Sequence, residues 1–172
     1  MVFRLWELAV APVLRAAGAR RVVEIGALQG ETTVKLLDLL GPESEVHVID
    51  PLPQFDPSEH ERRFPGRYHF HRAISHEVLP ELPPVDAALI DGDHNWYTVF
   101  NELQMLAATA REAGEPLPVC FLHDVGWPYG RRDLYYEPER IPEEFRQPWA
   151  QRGLRLRRGR DGRTDLLDRG GV

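Results

Sequence analysis

A chain of 172 residues, 42% hydrophobic and 28% charged, is long enough for one domain with its own core and excludes general disorder. The net charge of −6 argues against nucleic acid or an anionic membrane surface as the main partner. One cysteine, Cys120, excludes an internal disulfide or a multi-cysteine zinc centre, and predicts a reducing, cytoplasmic setting.

At the N-terminus Phe3, Trp6, Val10, Val13 and Ala17 fall at helical spacing, which predicts an amphipathic helix over residues 1–18. Arg4, Glu7 and Arg15 break the apolar run, so neither a signal peptide nor a membrane span is expected there or elsewhere. Arg21–Ile25 reads as a first strand ending at glycine, and Glu31–Leu40 as a helix stopped by Gly41-Pro42. Glu45–Ile49 is a second strand, Ser58–Phe64 a short helix, Arg67–Phe70 a third strand and Val85–Ile90 a fourth. Asn95–Glu112 is the clearest helix, with apolar positions from Trp96 and Phe100 to Ala110 and a cap at Asp93 or Asn95. Leu117–Leu122 is a fifth strand. Strands separated by helices, most of them continuously apolar, predict a doubly wound α/β domain with a mostly parallel sheet covered on both faces.

Past the fifth strand the regularity fades. Trp127–Trp149 gathers six aromatic residues among four prolines; it could wall a binding site, form a contact between subunits of a homo-oligomer, or simply pack over the sheet edge. Residues 152–169 carry seven Arg against three Asp, read as a solvated face. Leu154–Arg158 and Arg163–Leu167 around Asp161-Gly162 suggest a hairpin.

Ligands of open α/β sheets sit beyond the carboxyl ends of the strands. The first such loop reads Glu24-Ile25-Gly26-Ala27-Leu28-Gln29-Gly30-Glu31. Gly26 permits a tight turn and Gly30 a close backbone approach. The middle glycine of a dinucleotide fingerprint is missing, and Glu24 and Glu31 would repel a pyrophosphate. Asp50, twenty residues past Gly30, is placed to accept the two hydroxyls of a ribose. Glycines and acid could instead serve packing and a turn before Pro51; together, at this spacing, they favour a nucleoside ligand.

Glu-x-Gly-x-x-x-Gly after the first strand, with an acid closing the second, resembles the class I S-adenosylmethionine-dependent methyltransferases. The resemblance spans about residues 20–126 and implies a Rossmann-like fold and a methyl donor. It also implies Gly26, Ala27 and Gly30 at the methionyl part, Glu24 near its ammonium, Asp50 on ribose, and Arg72–Ser75 near adenine. Such enzymes complete the sheet with a further hairpin, so an abbreviated C-terminal part is expected.

The fourth strand ends Ile90-Asp91-Gly92-Asp93-His94 and the fifth Leu122-His123-Asp124. Adjacent strand ends would bring these carboxylates and imidazoles around one cleft, where they suit Mg²⁺ or another divalent ion. Asp93 as a helix cap and His123-Asp124 as an ordinary turn is the plainer alternative. The segment is similar to metal-dependent O-methyltransferases acting on sugars and natural products. That likeness implies Asp91 and Asp124 on the metal and Asp93 as base. His123 stands where such enzymes often carry a second acid and is read from its place in the cleft as a further metal donor, with His94 or His123 as alternative bases; Asp91 also falls beside the donor. The partner implied is a small hydroxylated acceptor. A metal-dependent hydroxylase of the same fold and a non-catalytic nucleoside-binding module are the competing readings.

Overall fold

The computed structural model describes residues 5–94, 96–123, 155–158 and 164–167. A π-helical turn, Trp6–Val10, leads into α1 (Ala11–Ala17). There follow β1 (Arg21–Ile25), α2 (Glu31–Leu39), β2 (Glu45–Ile49), α3 (Pro57–Arg63), β3 (Tyr68–His71) and α4 (Ser75–Val78), the last running into a 3₁₀ turn, Leu79–Glu81. Next come β4 (Ala87–Ile90), α5 (Trp96–Ala113), β5 (Val119–Leu122), β6 (Arg155–Arg158) and β7 (Thr164–Leu167).

The first five strands form one sheet in the order β3-β2-β1-β4-β5, every pair parallel. This is the α/β Rossmann-like architecture the alternation predicts. The order reverses between β1 and β4, the switch point where ligands of such sheets bind. β6 and β7 pair antiparallel, Arg155 opposite Leu167 and Arg158 opposite Thr164, as the C-terminal pattern suggests. The Asp161-Gly162 turn, the Trp127–Trp149 segment and Asp124 lie outside the described residues. None of the described helices is long and apolar enough to cross a membrane.

Each strand sorts its residues by parity. Val22, Val46, Val48 and Leu89 face one layer with Trp6, Leu14, Leu36 and Leu37. Val23, Ile25, Ile49 and Ile90 face the other with Leu79, Val85 and Leu106. The N-terminal stripe differs from its expected phase: Trp6, Val10, Ala11 and Leu14 are buried, while Val13 is 38% exposed and Ala17 is exposed. The wide π turn accommodates one extra residue, so the buried face advances by one position. On α5 the buried line is Thr98, Glu102, Leu106 and Ala110, and Phe100 is half exposed; the helix is rotated so that two polar residues, Thr98 and Glu102, head its buried line.

Arg67, just before β3, closes α2. Its guanidinium donates to the carbonyls of Leu37 and Leu40 at 2.8 and 3.0 Å and to Ser44 Oγ at 3.2 Å, satisfying acceptors that a helix C-terminus leaves over.

Candidate active site

The loop after β1 is held by the end of β2. Gly26 N donates to Ile49 O at 2.9 Å. Ala27 N and Leu28 N both donate to Asp50 Oδ2 at 2.9 Å, and Leu52 N donates to Asp50 Oδ1 at 2.8 Å. Asp50 is 5% exposed, and its first task is therefore to anchor the loop. Leu28 sits at φ +49, a conformation that L residues adopt only at a cost; the Asp50 bond and Gln54 N to Leu28 O at 2.6 Å hold it there.

Gly26 (φ +84) shows why the position needs glycine: a Cβ there would lie 2.5 Å from Asp91 O and 2.6 Å from Gly92 Cα. The end of β1 thus lies directly against the end of β4. Gly30 (φ +74) is the residue before α2, and a Cβ on it would meet Phe55 and His60 at 3.3 Å.

Above this junction opens a cavity of about 590 Å³, a size ordinary for a small-molecule site. Gly26, Ala27, Asp50, Ser75, Asp91, Asp93, His94 and His123 line it, so the structure brings together eight of the site residues expected from sequence. Glu24 and Gly30 do not line it. Parity turns Glu24 to the opposite layer, where it is 2% exposed and accepts from Thr33 Oγ1 at 2.5 Å. Burial is the main reason its carboxyl is pushed up to about 8. Of Arg72–Ser75 only Ser75, with Ile74, reaches the cavity.

At the β4–β5 end, Asp91 Oδ1 lies 2.9 Å from His123 Nδ1 and 3.9 Å from His94 Nε2. One donor atom from each of Asp91, His94 and His123 falls within 4.8 Å of the others. His94, expected as a base, therefore stands among the potential metal donors. Asp93 Oδ2 accepts from Thr98 Oγ1 at 2.6 Å, so this acid also organises the start of α5.

A family described as methyltransferase domain matches residues 23–125, more than half of the chain. The chain belongs to that family. No curated protein matches this methyltransferase domain. Among solved structures it is similar to a Staphylococcus aureus protein assigned as a caffeoyl-CoA O-methyltransferase, with 15% identity over 62% of this chain and 54% of that one and a TM-score of 0.49. It is also similar to a Klebsiella pneumoniae protein assigned as an O-methyltransferase, with 23% identity, 56% and 48% coverage and a TM-score of 0.44. A third is an O-methyltransferase of neocarzinostatin biosynthesis in complex with S-adenosylmethionine and 2-hydroxy-5-methyl naphthoic acid, with 19% identity, 67% and 35% coverage and a TM-score of 0.44. The chain spans about half or less of the length of these structures.

Several functional candidates escape sequence reasoning. Leu28, Thr32, His76, Thr98 and Glu102 all line the cavity. Leu28 carries no signal, because its position depends on Asp50. Thr98 and Glu102 sit on a helix whose rotation the apolar pattern alone does not fix.

Proposed function

We propose that this domain transfers a methyl group from S-adenosylmethionine to a hydroxyl of a small molecule, with a divalent ion assisting. The observation that carries this reading is a cavity at the β1–β4 switch point. It joins the glycine loop and Asp50 on one side to Asp91, Asp93, His94 and His123 on the other, within a methyltransferase-domain family member.

Methyl transfer is an in-line displacement: a C–O bond forms as the C–S bond of the sulfonium breaks, and the hydroxyl proton leaves. Most of the rate comes from holding the two reactants at attack distance. In this reading the backbone of Gly26–Leu28, fixed by Asp50, positions the methionyl arm, and the remaining acceptor capacity of Asp50 Oδ1 meets a ribose hydroxyl. Asp93, whose carboxylate is held by Thr98 Oγ1, takes the acceptor proton.

The donor set of Asp91, His94 and His123 fits a divalent ion; one carboxylate with two imidazoles suits a borderline ion such as Mn²⁺, Fe²⁺ or Zn²⁺ better than Mg²⁺. When bound, such an ion supplies Lewis-acid chemistry that lowers the pKa of an acceptor hydroxyl. Asp124, next in sequence to His123, is the further ligand expected from resemblance.

Calorimetry with S-adenosylmethionine and S-adenosylhomocysteine tests the donor. Both should bind, and Asp50→Ala should weaken them by about 1.5–3 kcal/mol, the cost of losing a charged hydrogen bond. Binding of NAD without either compound would overturn the reading. A screen of hydroxylated acceptors with labelled donor tests transfer; exhaustive chelation should abolish turnover and leave donor affinity unchanged, and Asp93→Asn should bind donor without turnover.

The same two-histidine, one-carboxylate set favours a second reading, a metal-dependent hydroxylase. Mass spectrometry of the product separates the two, since one adds a methyl group and the other an oxygen atom.

A further inference from the structure

The buried line of α5 changes character along its length. Leu106 packs into the apolar layer under the sheet, whereas Thr98 and Glu102 line the cavity. Glu102 is 1% exposed. Its Oε1 accepts from Ser75 Oγ at 2.5 Å, and among the described residues no group hydrogen-bonds its Oε2. A buried polar atom left without a partner is costly. One that lines a ligand cavity can be satisfied by the ligand.

The surroundings limit what that ligand group can be. Ser75 and His76 come from α4, Asp93 from the β4–α5 loop and Thr98 from the preceding turn of α5. His76 Nε2 lies 3.2 Å from the Thr98 carbonyl. Burial first, and then the charge of Asp93, push the Glu102 carboxyl up to about 8. At neutral pH it therefore carries a proton, and a protonated carboxyl presents a donor and an acceptor side by side. That edge complements a flat heteroaromatic ring with an acceptor nitrogen next to an amino group. Ile49 and Ile74, which also line the cavity, supply apolar surface for the faces of such a ring. Of the three parts of the donor, the purine alone has this form; the methionyl arm is charged and the ribose offers hydroxyls.

We infer that Glu102, steadied by Ser75, reads the hydrogen-bonding edge of the nucleobase and makes the cavity selective for adenine. The inference rests on the donor reading above. Glu102 is then a specificity-determining residue, and a helix that otherwise serves the core delivers the contact.

The test is calorimetry of S-adenosylhomocysteine and S-inosylhomocysteine on the full chain and on Glu102→Gln and Glu102→Leu, each checked for cooperative unfolding. The wild type should prefer the adenine compound by about tenfold, the worth of one net hydrogen bond. Glu102→Leu should lose about that factor in affinity and lose the preference, whereas Glu102→Gln, which keeps a donor and an acceptor, should hold affinity within about threefold. Wild-type affinity should also decline as pH rises past 8, and Glu102→Gln should show a flatter profile; Asp93 and His76 are common to both proteins and cancel in the comparison.

Equal binding by Glu102→Leu and the wild type would overturn the inference and leave the donor reading intact. So would an affinity that rises with pH and falls in Glu102→Gln, which would make Glu102 an anionic partner of the methionyl ammonium. Failure of the wild type to bind S-adenosylhomocysteine at all would overturn the donor reading and this inference with it.

Discussion

Replacing Gly26 by alanine separates two physical costs that the loop after β1 combines. The first is conformational: φ is +84, and an L residue in the left-handed region costs about 1–2 kcal/mol. The second is steric: the new Cβ would lie 2.5 Å from Asp91 O, 2.6 Å from Gly92 Cα and 2.7 Å from the Asp91 carbonyl carbon. All three are backbone atoms of the strand end, so no side chain can swing aside, and relief requires moving the ends of β1 and β4 apart. Overpacking of that kind costs about 1–3 kcal/mol. The sum, roughly 2–5 kcal/mol, is a large share of the stability of an ordinary domain. Gly18 provides the control, since it has φ +62 with nothing within 4 Å of an added Cβ. Urea unfolding of the two alanine variants should show Gly18→Ala losing only the first, conformational cost and Gly26→Ala clearly more. Donor affinity should fall in Gly26→Ala alone. Equal losses in the two variants, or an unchanged donor affinity in Gly26→Ala, would refute the close-approach argument.

Other outcomes follow from the buried groups. Glu24 has its carboxyl pushed up to about 8 chiefly by burial, so the native state holds a proton there that the unfolded chain releases near 4.5; its contribution to stability is present at low pH and lost as pH rises from about 4.5 to 8. Unfolding free energies measured across that window should decline more steeply in the wild type than in Glu24→Gln. His47 behaves in the opposite sense, held down to about 4 by burial and by the neighbouring imidazoles of His69 and His71. Its contribution is present above 6.5 and lost as pH falls towards 4, so acid unfolding should be shallower in His47→Val. Thr33→Val should destabilise by about 1–3 kcal/mol in denaturant titration, because the buried Glu24 loses its hydroxyl donor. Arg67→Leu should cost a similar amount, since two helix-end carbonyls lose their donor.

The strands were legible because most are short, largely apolar runs bounded by glycine, proline or an acid. Arg21–Ile25 and Glu45–Ile49 are found at the bounds that the pattern predicts, and apolar residues at both parities, such as Val22 with Val23 and Val48 with Ile49, already imply a sheet covered on both faces. The 3₁₀ turn with α4 was not legible, because Ser75–Glu81 is short, polar and interrupted by Pro80. The phase of the N-terminal stripe depended on a π turn that no residue type announces. Within the site, Gly26, Asp50 and Asp91 could be placed from topology alone, since strand ends fix where the backbone stops. Glu24 could not, because its assignment turned on parity along β1 and hence on which layer it faces. Glu102 could not either: on a helical wheel it is one more charged residue, and its burial exists only once α4 packs beside α5.

The contact between Gly26 and Gly92 has a consequence for how such a chain can change over generations. A Cβ on Gly26 would strike the backbone at Asp91–Gly92, and a Cβ on Gly92 would lie 3.2 Å from Ile25 Cγ2. The two positions are 66 residues apart in sequence yet adjoin where the ends of β1 and β4 meet. Gly26 cannot take a larger residue while the end of β4 keeps its present backbone, whereas a carbon added at Gly92 meets only a methyl of Ile25 that can give by a few tenths of an ångström, so the constraint falls on Gly26. Variation in this domain should be sought around that pair, in the loops that lead away from it.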